Sequence, residues 1–218
     1  MSYARRAVRE LRTLSPAERR KVLDTIGKAR DGYRDFMIVT FALGTGVREG
    51  ELVALNVGDV ADGSQVVRAR IELRVFAKKG PRAKGAPAEP KTQRIFPSKI
   101  VRLHLSKYLA WKKREKESLE SGAPLFCAGV RSSAGTGARL SDRALRLMWQ
   151  KWQIRAGFKA PLFTFHELRH TFATSLLERV GDLRVVQRAL RHKHVTSTEI
   201  YAHVSDDRLR RALEDQGT

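Results

Sequence analysis

Apolar positions follow two rhythms along this chain of 218 residues. Over most of its length they recur every three or four positions, as on helices that bury one face. Around residues 68–75 polar and apolar residues instead alternate at every step, the period of a half-buried strand. The first helix is announced by Ser15-Pro16-Ala-Glu18, which supplies a serine cap, a proline at the first helical position and a glutamate that closes a capping box. It should reach about residue 28, where Asp31-Gly32 breaks the pattern. A second helix over 33–43 is apolar on most sides and reads as a core element, ended by Gly44 and Gly46. A third follows at once over 48–55.

Asp62-Gly63 marks a turn ahead of the alternating strand, which predicts 56–60 as its antiparallel partner. Residues 78–91 are rich in Gly, Pro, Ala and Lys and should form a basic hairpin tip, with Ile95 and Phe96 on the returning strand. A long helix over 99–119 carries Val101, Leu105, Tyr108 and Leu109 inward and a solvated charge run, 112–117, at its end. After a Gly/Ser loop over 121–140, Ser141 caps a helix to 155, closed by Gly157. Thr164-x-x-Glu167 opens another, with Leu168, Phe172 and Leu176 as its apolar stripe and Glu167, Thr171, Thr174 and Glu178 expected to face water. Gly181 stops it, Asp182 caps the next helix to about Leu190, and Thr196-x-x-Glu199 opens a short last one that places Tyr201 early. Together these elements predict an α+β, mainly helical fold with a small three-stranded antiparallel sheet. Residues 1–14 form a basic tail or linker, 15–218 one domain, 66–97 a hairpin, and 203–218 a C-terminal tail with Leu209 and Leu213 for a small docking helix.

Charge narrows the partner. Forty-three Lys and Arg against 23 Asp and Glu give a formal charge of +20, which favours a polyanion. The basic residues are spread along the chain rather than gathered on one amphipathic helix, so double-stranded DNA is expected and a membrane surface or small-molecule substrate is not. A single cysteine, Cys127, excludes an internal disulfide and a cysteine-built zinc site and fits a reducing cytoplasm. His192, His194 and His203 lack spaced carboxylates or further cysteines, so no metal or other cofactor is expected. Trp111, Trp149 and Trp152 sit at helical spacing and read as core rather than as base-stacking platforms.

The chemistry lies in separated boxes. His166-Glu-Leu-Arg169-His170 puts an imidazole and a guanidinium on one side of a helix start. Leu190-Arg191-His192 and Tyr201 follow, and Arg48 with Glu51 stands far upstream. By default each is bland: a solvated pair, a packed tyrosine, a surface ion pair of little value. As a set they suit attack on a phosphodiester. Arg48 and Arg169 would clamp the non-bridging oxygens, because a guanidinium pairs with them bidentately and never loses its charge. Tyr201 needs help to ionise; His166 would accept its proton or hydrogen-bond the phosphoryl oxygen, and His192 would add a second donor there. A hairpin lysine would protonate the leaving 5′-oxygen, with Lys78, Lys79, Lys84 and Lys91 in range.

These boxes resemble the catalytic domain of the tyrosine recombinases, the phage integrases and Xer-type enzymes. The match runs through Thr45-Gly-Val-Arg48-Glu-Gly-Glu51-Leu, His166-Glu-Leu-Arg169-His170-Thr-Phe-Ala-Thr, Leu190-Arg-His192 and Ile200-Tyr201-Ala-His-Val, and spans about residues 13–210. The resemblance implies strand cleavage by Tyr201 to a 3′-phosphotyrosine, exchange through a four-way junction, and religation without metal. It also implies Glu51 and His170 as supports of the site, and a chain that is monomeric when free and tetrameric on synapsed DNA. Lys79-Gly80 matches the family's Lys-Gly pair and is favoured as the catalytic lysine; Lys91-Thr92 is the alternative. Lys78, Lys84, Lys91 and Arg191 are expected on DNA. Arg191 stands where the family has the glycine of Leu-Gly-His, a position that closes a helix in left-handed geometry. Relatives carry an N-terminal helical domain that completes a clamp around the duplex; with no room for one, this chain is expected to be a minimal recombinase or a catalytic fragment, acting on nucleoid DNA in the cytoplasm. The competing readings are a type IB topoisomerase and an idle DNA-binding module.

Overall fold

The computed structural model describes residues 12–30, 32–73, 93–128 and 137–191. Within them the order is α1 (Pro16–Gly27), α2 (Tyr33–Thr45), α3 (Glu49–Val53), α4 (Val57–Val60), β1 (Ile71–Leu73), β2 (Gln93–Ile95), α5 (Lys99–Arg114), α6 (Asp142–Arg155), α7 (Phe165–Val180) and α8 (Leu183–Leu190). The cap signals act as their chemistry requires. The Glu18 carboxylate accepts from the Ser15 N–H at 2.8 Å while the Ser15 hydroxyl accepts from the Glu18 N–H at 3.2 Å, so two orphan donors of α1 are satisfied.

Helix α2 is the hub. Its Met37, Ile38, Val39, Phe41 and Ala42 are buried, and α1, α5 and α7 pack around it. It runs through Gly44 and ends only at Gly46, whose φ of 60° is left-handed. Gly46 is required twice over, since a Cβ there would also lie 2.4 Å from the Phe172 ring of α7. Trp152 of α6 is buried and donates from Nε1 to Asp35 of α2 at 2.7 Å, and Trp149 is buried beside it. Trp111 is half-buried and stacks on Tyr108 with ring centres 5.4 Å apart, so all three tryptophans serve packing.

The sheet is smaller than the alternation suggested. Among the described residues it has two antiparallel strands, with Ile71 opposite Ile95, Glu72 opposite Arg94 and Leu73 opposite Gln93. The expected third strand, 56–60, is the short helix α4. Its cause is local: the Asn56 N–H donates to Asp59 Oδ2 at 2.7 Å, a capping box in miniature that favours a helical turn over a strand. Only an isolated bridge, Ala61 to Val67, joins the Asp62-Gly63 turn. Phe96 leaves the strand and is 72% exposed. Helix α5 ends at Arg114, just before Lys116 turns left-handed with φ 59°. Lys112, expected in a solvated run, turns inward instead; it is fully buried and its Nζ donates to Glu117 at 2.5 Å and to the Pro124 carbonyl at 3.3 Å.

Helix α7 carries the main motif. Leu168, Ala173 and Leu177 are buried, whereas Phe172 and Leu176 are half-buried. Thr171, expected in water, is buried: its hydroxyl donates to the Glu167 carbonyl at 2.8 Å and accepts from the Leu14 N–H at 2.9 Å. The segment entering the domain is therefore pinned to α7, helped by Arg12 donating to the Pro161 carbonyl at 2.8 Å and Arg19 to Ser175 at 2.9 Å. Helix α8 folds back on α7 over a separate small cluster of Ala173, Leu177, Val186 and Leu190. At about 1.5–3 kcal/mol per fully buried aliphatic side chain, that cluster holds α8 only modestly, and polar ties must complete the docking.

Candidate active site

Three chain segments meet at the ends of their helices. Left-handed Gly46 turns the backbone out of α2 and leaves Arg48 as the N-cap of α3. Glu51, one turn on, serves that cap and the side chain together. Its Oε2 accepts the Arg48 backbone N–H at 2.8 Å and its Oε1 accepts Arg48 Nη1 at 2.6 Å. The Arg48 side chain remains 41% exposed, so its guanidinium is held from one edge and open to a ligand from solvent.

Arg169 rises from the second turn of α7 into the gap between the other two segments and is 2% exposed. Its Nη1 donates to the Gly46 carbonyl and its Nη2 to the Leu190 carbonyl. One planar fork thus bridges the end of α2 and the end of α8, satisfying two helix-end carbonyls and fixing its own plane. These ties supply the extra docking that α8 needs.

His166, at the exposed rim of α7, and His170 are one turn apart, their rings edge to face at 4.7 Å. Partial desolvation against the protein is the main force holding the His166 pKa down, reinforced by the positive charges of Arg169 and Arg48. Arg169 reaches the Gly46 carbonyl, two residues from Arg48, and His166 stands three residues before Arg169 on α7, so the three groups lie at the same end of the fold. His170 is pushed down to about 4, first by burial and then by His166. Both rings are therefore neutral at pH 7, able to accept a proton or donate a hydrogen bond.

A stability prediction follows from His170. A depressed histidine binds fewer protons folded than unfolded between its two pKa values, so stability falls as pH drops below about 6.5, the unfolded value. For an enclosed ring, a folded pKa of about 4 would be worth about 3 kcal/mol; this half-buried ring should lose about 1–2 kcal/mol. Urea midpoints measured from pH 7 to pH 5 should decline, and His170→Gln should flatten the slope. A wild-type profile flat across that window would contradict this assignment.

Arg191 closes the cluster from the far side. It occupies the left-handed C-cap of α8 with φ 58° and ψ 37°. Its Nη2 donates to Glu51 Oε2 at 2.6 Å, its Nε to Gln93 Oε1 on β2 at 3.2 Å, and its side chain is 6% exposed. Burial presses the Glu51 carboxyl upward, but Arg191 and Arg48 together outweigh it and hold its pKa below the usual range. So Arg48, Glu51, His166, Arg169, His170 and Arg191 come together. Lys78, Lys79, Lys84, Lys91, His192 and Tyr201 lie outside the described residues. Sequence reasoning missed the carbonyls of Gly46 and Leu190 as guanidinium acceptors, the role of Gln93, and the sharing of Glu51 by two arginines. Only the glycine in Thr45-Gly-Val gave a signal for any of these. Among the described residues no group of three or more His, Cys, Asp or Glu is placed to hold a metal, and no helix is long and apolar enough to cross a membrane.

Residues 12–208 match the phage integrase family. The tyrosine recombinase XerC of Caldanaerobacter subterraneus subsp. tengcongensis is 30% identical over 203 residues, 92% of this chain and 49% of that relative. The chain thus spans about half of that protein's length. A crystal structure of a XerA recombinase superposes with TM-score 0.69 at 28% identity, over 95% of this chain and 65% of that one. The catalytic domain of bacteriophage HP1 integrase shares the fold, with TM-score 0.55 at 21% identity over 94% and 95% of the two chains.

Proposed function

Because the chain belongs to the phage integrase family, we propose that it is a site-specific DNA recombinase that cuts and rejoins strands through a 3′-phosphotyrosine. The observation that carries this reading is the tie of Arg169 to the Gly46 carbonyl, which brings Arg169 and His166 of α7 beside Arg48 from a segment more than a hundred residues away. A neutral imidazole beside two permanent cations suits a pentacoordinate phosphoryl group, which needs charge compensation on its non-bridging oxygens and a base for the attacking hydroxyl. Arg48 and Arg169 are the clamp. Glu51 orients Arg48, and His170 buttresses His166 from the next turn.

In the proposed step, Tyr201 Oη bonds to phosphorus as the bond to the 5′-oxygen breaks. His166 takes the phenolic proton, His192 donates to a non-bridging oxygen, and Lys79, or Lys91 in its place, protonates the departing 5′-oxygen. Religation reverses each transfer. The formal charge of +20 suits double-stranded DNA, with Lys78 and Lys84 proposed as further phosphate contacts. The free chain is proposed to be monomeric and to form a tetramer on synapsed DNA in the nucleoid-bearing cytoplasm. A groove of about 620 Å³ between β2, α7 and α8, lined by Phe96, Phe172, Leu176 and Val185, suits an apolar docking segment such as the tail at 203–218, from the same or a neighbouring subunit. Residues 15–218 are read as the catalytic unit, with 1–14 leading into it.

The test is incubation with a nicked suicide duplex, whose short 5′-fragment diffuses away after cleavage. A covalent protein–DNA adduct that forms equally in EDTA is expected. Duplex binding without an adduct, over several substrates, would indicate an idle module. Relaxation of plasmid by monomer with no crossover product would indicate topoisomerase action.

A further inference from the structure

We propose that Arg191 is a positioning residue that keeps the Arg48 guanidinium available to a phosphate, by sharing the Glu51 carboxylate with it. This rests on the reading of Arg48 as a phosphate clamp. The backbone at 191 is left-handed, where a side chain is disfavoured and glycine is at ease. A strained arginine persists there because its side chain is fully engaged. It donates to Glu51 at 2.6 Å, to Gln93 at 3.2 Å and to the Ala189 carbonyl at 3.1 Å, all directed inward.

The arithmetic of charge explains the consequence. Two guanidiniums against one carboxylate leave the trio at +1, whereas Arg48 and Glu51 alone are neutral. A carboxylate with one arginine partner also tends to pair with it bidentately, covering the donors a phosphate would need. Arg191 shares Oε2 with the Arg48 backbone N–H and fills its remaining acceptor capacity, so Glu51 meets the Arg48 side chain through Oε1 only. Through Gln93 the same Arg191 side chain ties β2 to this carboxylate. Glu51 is faced by Arg48 from α3 and Arg191 from the end of α8, and both favour its ionised form.

The experiment compares the full chain, Arg191→Gly and Arg191→Asn in single-turnover cleavage of the suicide duplex. Asparagine tolerates the left-handed position and serves if the glycine variant is unstable. Each protein is tested on a scissile phosphodiester and on a neutral methylphosphonate at the same position. On the phosphodiester the variants should bind duplex within about two-fold of the parent and cleave about 10- to 100-fold more slowly. On the methylphosphonate, which carries no charge for Arg48 to compensate, the deficit should shrink to about three-fold or less. Glu51→Gln added to Arg191→Gly should recover part of the lost rate, because the neutral amide no longer cancels Arg48. An equal deficit on both substrates would make Arg191 merely structural and overturn the proposal. A loss confined to duplex affinity would do so too, by making Arg191 a direct phosphate contact. A parent chain that binds duplex and cleaves neither substrate would overturn the cleavage reading and this role together.

Discussion

Tyr201→Phe will bind nicked duplex as tightly as the parent chain and form no covalent adduct, with cleavage reduced by about 10⁴-fold or more. The clamp, the imidazoles and the basic surface are untouched by removal of one oxygen, so binding should survive. Chemistry should not, because no other phenol among the described residues is fit to replace it. Tyr108 is buried, donates to the Leu125 carbonyl at 3.2 Å, and its pKa is driven well above the ordinary phenol value mainly by burial. Tyr33 is also pushed up, by burial, and packs against Tyr108 and Trp111. Neither presents an ionisable hydroxyl to a bound strand. The measurement is denaturing electrophoresis of the adduct beside a binding isotherm on uncleaved duplex. An adduct of normal yield in Tyr201→Phe would assign the nucleophile elsewhere and dismantle the catalytic scheme.

The parts of this molecule that were legible in sequence are those fixed by local chemistry. Capping boxes at Ser15 and Thr164, and the left-handed stop at Gly181, gave helix boundaries within a residue or two, because each satisfies helix-end groups with side chains close in sequence. The Asn56 to Asp59 signal is of the same kind, but the neighbouring Asp62-Gly63 turn suggests a hairpin strand where a one-turn helix forms. The candidate site was legible as an inventory because its residue types have few other uses in that order. Its architecture was not, since it depends on long-range backbone acceptors. Nothing in the identity of Gly46 or Leu190 says that their carbonyls face one guanidinium. Arg191 shows the limit most clearly: its residue type suggested a phosphate contact, while the fold commits that side chain inward to Glu51. Thr171 and Lys112 fail for the same reason, as polar residues buried against partners distant in the chain or beyond their own helix.

Arg169 is where fold and chemistry share one side chain, so its replacement should damage both. Arg169→Ala leaves the Gly46 and Leu190 carbonyls without a buried donor, at about 1–3 kcal/mol each. It also empties a fully enclosed volume and loosens α8, whose remaining support is the small cluster around Val186 and Leu190 and the Arg191 ties to Glu51 and Gln93. A loss of about 3–5 kcal/mol is expected, or about 10 °C in melting temperature for a domain of this size. Removing one of two clamp cations should slow cleavage about a further 10³-fold when measured well below that melting temperature. Arg169→Lys separates the two roles. An ammonium keeps the charge but cannot hold both carbonyls in one plane, so stability should fall by about 1–2 kcal/mol and cleavage by about 10²-fold. His166 adds a probe that needs no catalysis: Arg169 is the largest charge holding its pKa down, so that pKa should rise in the alanine variant and stay low in the lysine variant. Histidine ring NMR across pH 4–8 reads this directly in the free protein. Cleavage by folded Arg169→Ala within about ten-fold of the parent, with an unmoved His166 titration, would separate position 169 from the phosphate site altogether.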